Sequence, residues 1–226
     1  MEPEKKKGAF YSFGQFLLRL IFYPLYRLRV VGRENLPEGG PVLICSNHIE
    51  GFDPILIGIA LKRQVFYMAK EELFHNKFFG KILRGLGAFP VLRGSGGADA
   101  LAEGCRLLNE NAVVGVFIEG TRSEDGVPLK PKTGAALLRY RTGAAVLPVC
   151  ITAQGGGRLK PFRRTELRFG TPISPEIPDD SSMQLRRASR TIMGEIIALR
   201  AQSARSMGFV LPEEAAKALP EGKEGE

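Results

Sequence analysis

This chain of 226 residues contains two histidines, and one of them has a carboxylate placed to serve it. His48 is followed five positions later by Asp53, with Gly51 between them to let the chain turn. An imidazole titrates near neutrality, so it can take a proton from a hydroxyl and pass it on. A carboxylate folded back onto the ring's other nitrogen fixes the tautomer and stabilises the imidazolium as it forms. The pair reads as a general base in which His48 moves the proton and Asp53 orients it. Asp53 reads equally as a helix N-cap, since Asp before Pro is a helix-start signature, and the two roles can coexist. The other histidine, His75, lies beside Asn76 and Lys77 in a loop-like stretch and reads as a surface residue.

The elements around His48 decide whether such a base can work. Val42-Leu43-Ile44-Cys45 reads as a buried strand and Ile55 to Leu61 as an apolar helix. His48 therefore sits in the turn leaving a strand, which is where open α/β folds place their chemistry. Further strand-like runs occur at Val65 to Ala69, Gly87 to Arg93, Val113 to Ile118, Ala145 to Ile151 and Glu166 to Phe169. Helical patterns cover Leu73 to Leu86, Ala100 to Glu110, Thr133 to Arg141 and Ser181 to Arg205. This alternation predicts an α/β fold, a single largely parallel mixed sheet flanked by helices. Pro148, inside one of the strands, is an unusual resident of a sheet.

Asn47-His48, four residues, then Asp53-Pro54 resembles the first block of the glycerolipid acyltransferases, specifically the 1-acyl-glycerol-3-phosphate (lysophosphatidate) acyltransferase family. Three more blocks follow in that family's order: Gly87 to Gly94 with Arg93, Glu119-Gly120-Thr121-Arg122-Ser123, and Ala145 to Ile151. The similarity runs from about Gly32 to Gly170, with Leu92 and Ile118 as departures from the family pattern. It implies transfer of an acyl group from acyl-CoA or an acyl carrier protein thioester to the sn-2 hydroxyl of lysophosphatidate, giving phosphatidate. A thioester is already activated, so neither a covalent enzyme intermediate nor a cofactor or metal is called for.

On this resemblance Arg93 and Arg122 are the phosphate clamp, because a guanidinium fork matches phosphate bidentately; for Arg93 the alternative is a surface ion pair. Gly120 allows close backbone approach and Thr121 supplies a hydroxyl. Glu119 would be repelled by a phosphate, so it is assigned to orienting Arg122 or to bonding a glycerol hydroxyl. Lys70 belongs to a segment that lies near substrate in the family, or is a solvated charge at a strand end. Lys130 and Lys132 read as solvated. The fourth block forms part of an acyl pocket or simply packs.

The net charge of +8 is uneven: residues 1–33 carry +5 and residues 212–226 carry −3. A basic body suits nucleic acid or an anionic membrane. No helix-turn-helix, zinc-finger or RNP pattern occurs and Trp is absent, which favours phosphate-bearing lipid over nucleic acid. Cys45, Cys105 and Cys150 have no metal-ligand spacing and read as reduced residues of a cytosolic protein.

Residues 1–31 combine Lys5-Lys6-Lys7 with a helical pattern running from Phe10 to Leu28. Arg19, Arg27 and Arg29 interrupt the apolar run, so it falls short of the roughly 20 apolar residues a spanning helix requires. Ser12, Gln15, Arg19, Tyr23, Tyr26 and Arg27 form a polar stripe; Phe10, Phe13, Phe16, Leu17, Leu20 and Ile21 form a wide apolar side, and Pro24 predicts a kink. This composition predicts an amphipathic helix in the bilayer interface, placing the protein peripherally or monotopically on the cytoplasmic face of the cell membrane. The alternative is a helix packed on the domain's own sheet. The expected organisation is this segment, an acyltransferase domain over residues 32–211, and a charged tail over 212–226. A serine hydrolase and a catalytically silent membrane module are the other classes; no Gly-x-Ser-x-Gly occurs, and the His48/Asp53 pair is intact.

Overall fold

The computed structural model describes residues 8–91 and 97–211, with the backbone alone for Lys70, Phe79 and Val91. Within them lie strands β1 (Leu28–Val31), β2 (Val42–Ser46), β3 (Val65–Lys70), β4 (Ala88–Val91), β5 (Val113–Phe117), β6 (Ala145–Ala153) and β7 (Thr165–Phe169). The helices are α1 (Ala9–Leu25), α2 (Asp53–Ala60), α3 (Lys77–Gly85), α4 (Ala98–Asn109), α5 (Gly134–Thr142) and α6 (Ser182–Met207). The strands form one sheet in the order β1-β7-β6-β2-β5-β3-β4, and the β6/β7 pairing alone is antiparallel.

Successive residues of β2 face opposite sides of the sheet, so a strand covered on both sides must be apolar throughout. Val42 and Ile44 join a cluster with Leu56, Ile57 and Ile59 of α2, while Leu43 and Cys45 join Leu108 of α4, Leu138 of α5 and Ile192 and Ile196 of α6. All four β2 residues are fully buried. The chain leaves β2 through α2 on one face and passes from β5 to β6 through α5 on the other. The carboxyl ends of the adjacent strands β2 and β5 thus frame a crevice of the kind in which α/β folds bind ligands.

Pro148 lies in β6 where the ladder to β7 ends. Its carbonyl accepts from Gly170 N–H at 2.8 Å, but it has no N–H to return to the Gly170 carbonyl. Asn35 Nδ2 donates to that carbonyl instead, at 3.0 Å. A side chain from the turn before β2 thus supplies the donor that proline lacks.

The N-terminal segment departs from expectation in extent. Helix α1 ends at Leu25, one residue past Pro24, so the proline marks its end and Tyr26 and Arg27 lie beyond it. Leu28 to Val31 pair with β7 as an edge strand, so these residues belong to the sheet and not to the helical segment. Lys5 to Lys7 and the tail 212–226 lie outside the described residues.

The faces of α1 are arranged unusually. Gln15 and Arg19, from its polar stripe, point at the protein: Gln15 Nε2 donates to the carbonyls of Gly58 (2.6 Å) and Leu61 (2.9 Å), and Arg19 Nε to that of Ile59 (2.6 Å). These carbonyls lie at the end of α2, where a helix has no partners of its own for them. The apolar side points outward, with Phe10, Phe13, Phe16, Leu20 and Ile21 each more than half exposed.

Candidate active site

The turn after β2 is built by two polar side chains bonded to backbone, Asn47 and Asp53. Asn47 is 3 % exposed and pairs with Ile151 of β6 in both directions, Nδ2 donating to its carbonyl at 2.9 Å and Oδ1 accepting from its N–H at 2.8 Å. This pairing continues the β2/β6 ladder past the end of β2, fixing where the chain turns. His48 comes next. Asp53, wholly buried, accepts from the N–H groups of Ile49 (2.7 Å) and Glu50 (2.8 Å) and meets His48 Nδ1 at 2.8 Å, all through Oδ2.

Asp53 is therefore not an N-cap. It is the first residue of α2, Phe52 holds the cap position without a side-chain bond, and the carboxylate reaches back into the turn. Burial pushes its acidity toward the neutral form, while His48 and the two N–H groups favour the carboxylate. As a carboxylate at the start of a helix it also gains from the helix dipole. With Asp53 ionised, Nδ1 of His48 carries the proton and Nε2 presents a lone pair. The ring, 17 % exposed, is the part of the pair that faces outward.

One face of the imidazole is covered by Phe117, the last residue of β5, at a centroid distance of 4.0 Å and an interplanar angle of 16°. Tyr67 of β3 stacks on Phe117 at 5.7 Å in turn. Tyr67 can lie across β5 because its register partner is Gly115, where a Cβ would come within 2.0 Å of the Tyr67 ring. These aromatic contacts set the plane of the base. They carry no local spacing signal, since the three residues come from three strands.

The loop after β5 is tied to the same turn. His48 N–H donates to Glu119 Oε1 at 3.2 Å, Leu129 N–H donates to Glu119 Oε2 at 2.9 Å, and Ser123 N–H donates to the His48 carbonyl at 2.8 Å. Glu119 is thus a buried brace between two loops, with both oxygens engaged by backbone. This corrects the expected pairing with Arg122. Burial pushes its carboxyl up to about 7, against the opposing pull of the two N–H groups and His48.

Arg122 is exposed, and its Nη1 lies 3.7 Å from where a Cβ on Gly51 would sit, so the guanidinium rests over the His48 turn. Gly120 has φ of +72°, a left-handed conformation suited to glycine, and an added Cβ would meet Lys132 Cγ at 3.1 Å. Thr121 is exposed beside it. Lys70 is the last residue of β3, its side chain outside the described residues, and Arg93 also lies outside them.

A second ion pair closes the turn on the other side. Arg158, from the glycine-rich loop after β6, grips Glu50 with Nε and Nη2 at 2.7 and 2.8 Å. Sequence reading passed over this pair because its members are 108 positions apart. Beneath the site is an apolar cavity of about 100 Å³, lined by Leu18 of α1, Ile55 and Gly58 of α2, Val65 and Tyr67 of β3, and Leu86.

A buried carboxylate, an oriented imidazole and an exposed arginine at the carboxyl edge of an α/β sheet form an arrangement that suits a general base acting on a hydroxyl substrate. Comparison with known proteins narrows it. Residues 27–152 match the family model described as Acyltransferase. A 1-acyl-sn-glycerol-3-phosphate acyltransferase of Bacillus subtilis is 34% identical over 166 residues, covering 72% of this chain and 82% of that protein. A chloroplastic protein of the same description from Arabidopsis thaliana is 32% identical over 71% of this chain, which spans 45% of the longer plant protein. The crystal structure of the 1-acyl-sn-glycerophosphate (LPA) acyltransferase PlsC from Thermotoga maritima superposes with a TM-score of 0.60 at 25% identity, covering 85% of this chain and 79% of that one. The chain belongs to the acyltransferase family, among the 1-acyl-sn-glycerol-3-phosphate acyltransferases.

Proposed function

We propose that this protein transfers a fatty acyl group from an acyl thioester to the sn-2 hydroxyl of lysophosphatidate, producing phosphatidate. The reading rests on one observation: His48 Nδ1 is held by Asp53 at 2.8 Å, which leaves Nε2 as the free base. Nε2 takes the proton of the acceptor hydroxyl as its oxygen attacks the thioester carbonyl carbon. The C–S bond then breaks and the imidazolium returns the proton to the departing thiolate. Asp53 stays ionised and stabilises the imidazolium between the two transfers.

Arg122, resting over Gly51, pairs with the acceptor's phosphate, and Arg93 is the second member of that clamp. Holding the phosphate fixes which hydroxyl meets Nε2, a gain of orientation and not of chemical activation. The apolar cavity between α1, α2 and β3 suits an acyl chain. The donor is acyl-CoA or an acyl carrier protein thioester, and no cofactor takes part.

The outward face of α1 supports seating on a membrane. Several aromatic and aliphatic side chains exposed in one stripe are expected of a helix lying in the bilayer interface. No helix among the described residues is long and apolar enough to cross a membrane. The protein is accordingly read as a peripheral or monotopic enzyme on the cytoplasmic face of the cell membrane.

The direct test offers purified protein lysophosphatidate with each thioester donor and identifies the product by mass. Phosphatidate should form with at least one donor, and free fatty acid without acylated acceptor would sink the reading. Arg122→Ala should lose at least tenfold more kcat/KM with lysophosphatidate than with a lysolipid lacking the phosphate, as a charge-assisted contact of about 1.5–3 kcal/mol implies. Equal losses would remove the phosphate clamp.

A further inference from the structure

A second cationic pocket lies at the foot of α1, away from His48. It is a cavity of about 220 Å³ lined by Arg27, Arg29, Arg164, Thr165, Glu166 and Ser206. Arg27 and Arg164 have no ion-pair partner among the described residues, and Arg29 has a single long contact, 3.8 Å to Glu166 Oε2. Glu166 is neutralised from behind, its Oε1 accepting from Arg168 Nη2 at 2.6 Å and its Oε2 from Ser206 Oγ at 2.7 Å. Thr165 shares the sheet face of Leu28 and Leu167, opposite Arg29 and Glu166, so its hydroxyl is turned away from the arginines.

The backbone around this pocket is also unusual. Arg27 and Phe162 have φ of +41° and +62°, left-handed values that are uncommon for residues with a side chain. Their segments are clamped together, Phe162 N–H donating to the Leu25 carbonyl and Thr165 N–H to the Tyr26 carbonyl. Phe162 is 71 % exposed, flanked by Lys160, Arg163 and Arg164. These clamps fix the basic groups around the pocket.

Register fixes where the pocket opens. Leu28 pairs with Thr165, and Thr165 with Ala153, the last residue of β6. The pocket therefore lies on the same carboxyl edge as His48, with β1 three strand spacings from β2, or roughly 14 Å.

We propose that this pocket holds the headgroup phosphate of an anionic phospholipid in the bilayer, a site distinct from the acceptor's phosphate clamp. Three guanidinium groups offer donors that match phosphate oxygens. The bilayer is the source because the pocket adjoins the end of α1, whose apolar face is exposed, and because Phe162 projects beside it. A basic rim around an exposed aromatic is what an anionic interface recruits. Fixing one lipid phosphate here turns the carboxyl edge of the sheet toward the membrane that supplies the acceptor.

This inference rests on the reading of α1 as a membrane-seating helix, and the test separates the two. Binding of the full chain is measured by co-sedimentation with vesicles of phosphatidylcholine alone and of phosphatidylcholine mixed with phosphatidylglycerol. Arg27→Gln/Arg164→Gln should lower affinity for the mixed vesicles about 25-fold, roughly fivefold per arginine, and leave the neutral vesicles unaffected. Arg186→Gln/Arg187→Gln removes the same charge from exposed positions of α6 and should change binding little.

Equal losses in the two arginine pairs would overturn the site in favour of net charge. Unchanged vesicle binding with a raised KM for the thioester donor, measured in detergent, would assign the pocket to the donor's phosphates or to an acidic carrier protein. Wild-type vesicle binding by Phe13→Ser/Leu17→Ser would instead remove the membrane role of α1, leaving the arginine result to be read by itself.

Discussion

The His48 turn and helix α1 use the same device to opposite ends. In both, polar side chains turn inward and bond to the backbone of a neighbouring element: Asn47 to Ile151 and Asp53 to Ile49 and Glu50 in one, Gln15 to Gly58 and Leu61 in the other. In the turn, these bonds engage Oδ2 of Asp53 and Nδ1 of His48 and leave Nε2 of His48 free; Oδ1 of Asp53 is also unpaired, but buried. In the helix, they leave an entire apolar face free. Burial is therefore not a synonym for hydrophobicity in this molecule. What a segment presents to its surroundings is whatever its bonding to the body does not consume.

If the turn exists to leave one base free, removing that base should abolish the chemistry without touching the fold. His48→Ala is expected to reduce turnover by about 10²- to 10⁴-fold, the usual contribution of a positioned base, with the fold retained. Near-normal turnover would end the assignment. If α1 exists to leave a face free, polar residues there should spare the chemistry and remove the membrane. Phe13→Ser/Leu17→Ser takes away two exposed side chains whose burial in a bilayer is worth about 1.5–3 kcal/mol each. Vesicle affinity should fall by about 10²-fold or more, while kcat on short-chain substrate in detergent holds.

Glu119 sharpens the comparison from the side of the turn, because it braces backbone as a buried acid whose carboxyl is raised to about 7 from an ordinary 4.5. Folding favours its protonated form, so the stability this contributes is fully present below pH 4.5 and lost as the pH rises through about 7. The shift corresponds to up to about 3 kcal/mol. Glu119→Gln cannot titrate, so the difference in stability between wild type and variant should shrink or reverse from pH 5 to pH 8 by up to that amount. Denaturant midpoints at the two pH values measure it. A difference independent of pH would show that the brace does not exchange a proton between folded and unfolded states.

Much of this architecture was legible because its signals are local. Strands such as Val42 to Cys45 are buried on both faces and therefore read as unbroken apolar runs. The His48/Asp53 pairing fits within one turn, so spacing alone proposed it. The faces of α1 were visible as a period, and the structure settles which of them packs on the protein. What escaped was set by groups that leave no trace in local spacing. The edge strand Leu28 to Val31 merged with the end of a helical pattern. The cap reading offered for Asp53 beside its pairing with His48 fails, because three donors in the turn outcompete the helix for its carboxylate. Glu119 was assigned to Arg122 or a glycerol hydroxyl because a phosphate would repel it, but its partners are backbone N–H groups that every residue carries. The Glu50/Arg158 pair joins the loops after β2 and β6, neighbours only in the folded sheet.

The smallest effect bears most closely on the comparison, because it asks whether the inward bonds of α1 matter at all. Gln15→Leu keeps side-chain volume and helix propensity but removes the donor to the Gly58 and Leu61 carbonyls at the end of α2. Gln15 is 5 % exposed, so water cannot replace it freely. A buried carbonyl that loses its donor costs about 1–3 kcal/mol. The urea midpoint should fall by that amount with the slope unchanged, since the surface exposed on unfolding is the same. Arg19 still reaches the Ile59 carbonyl, which keeps α1 attached and separates loss of a bond from loss of the helix. An unchanged midpoint would mean that the Gln15 bonds add nothing to the attachment that Arg19 and the apolar contacts of Leu18 and Phe22 already provide.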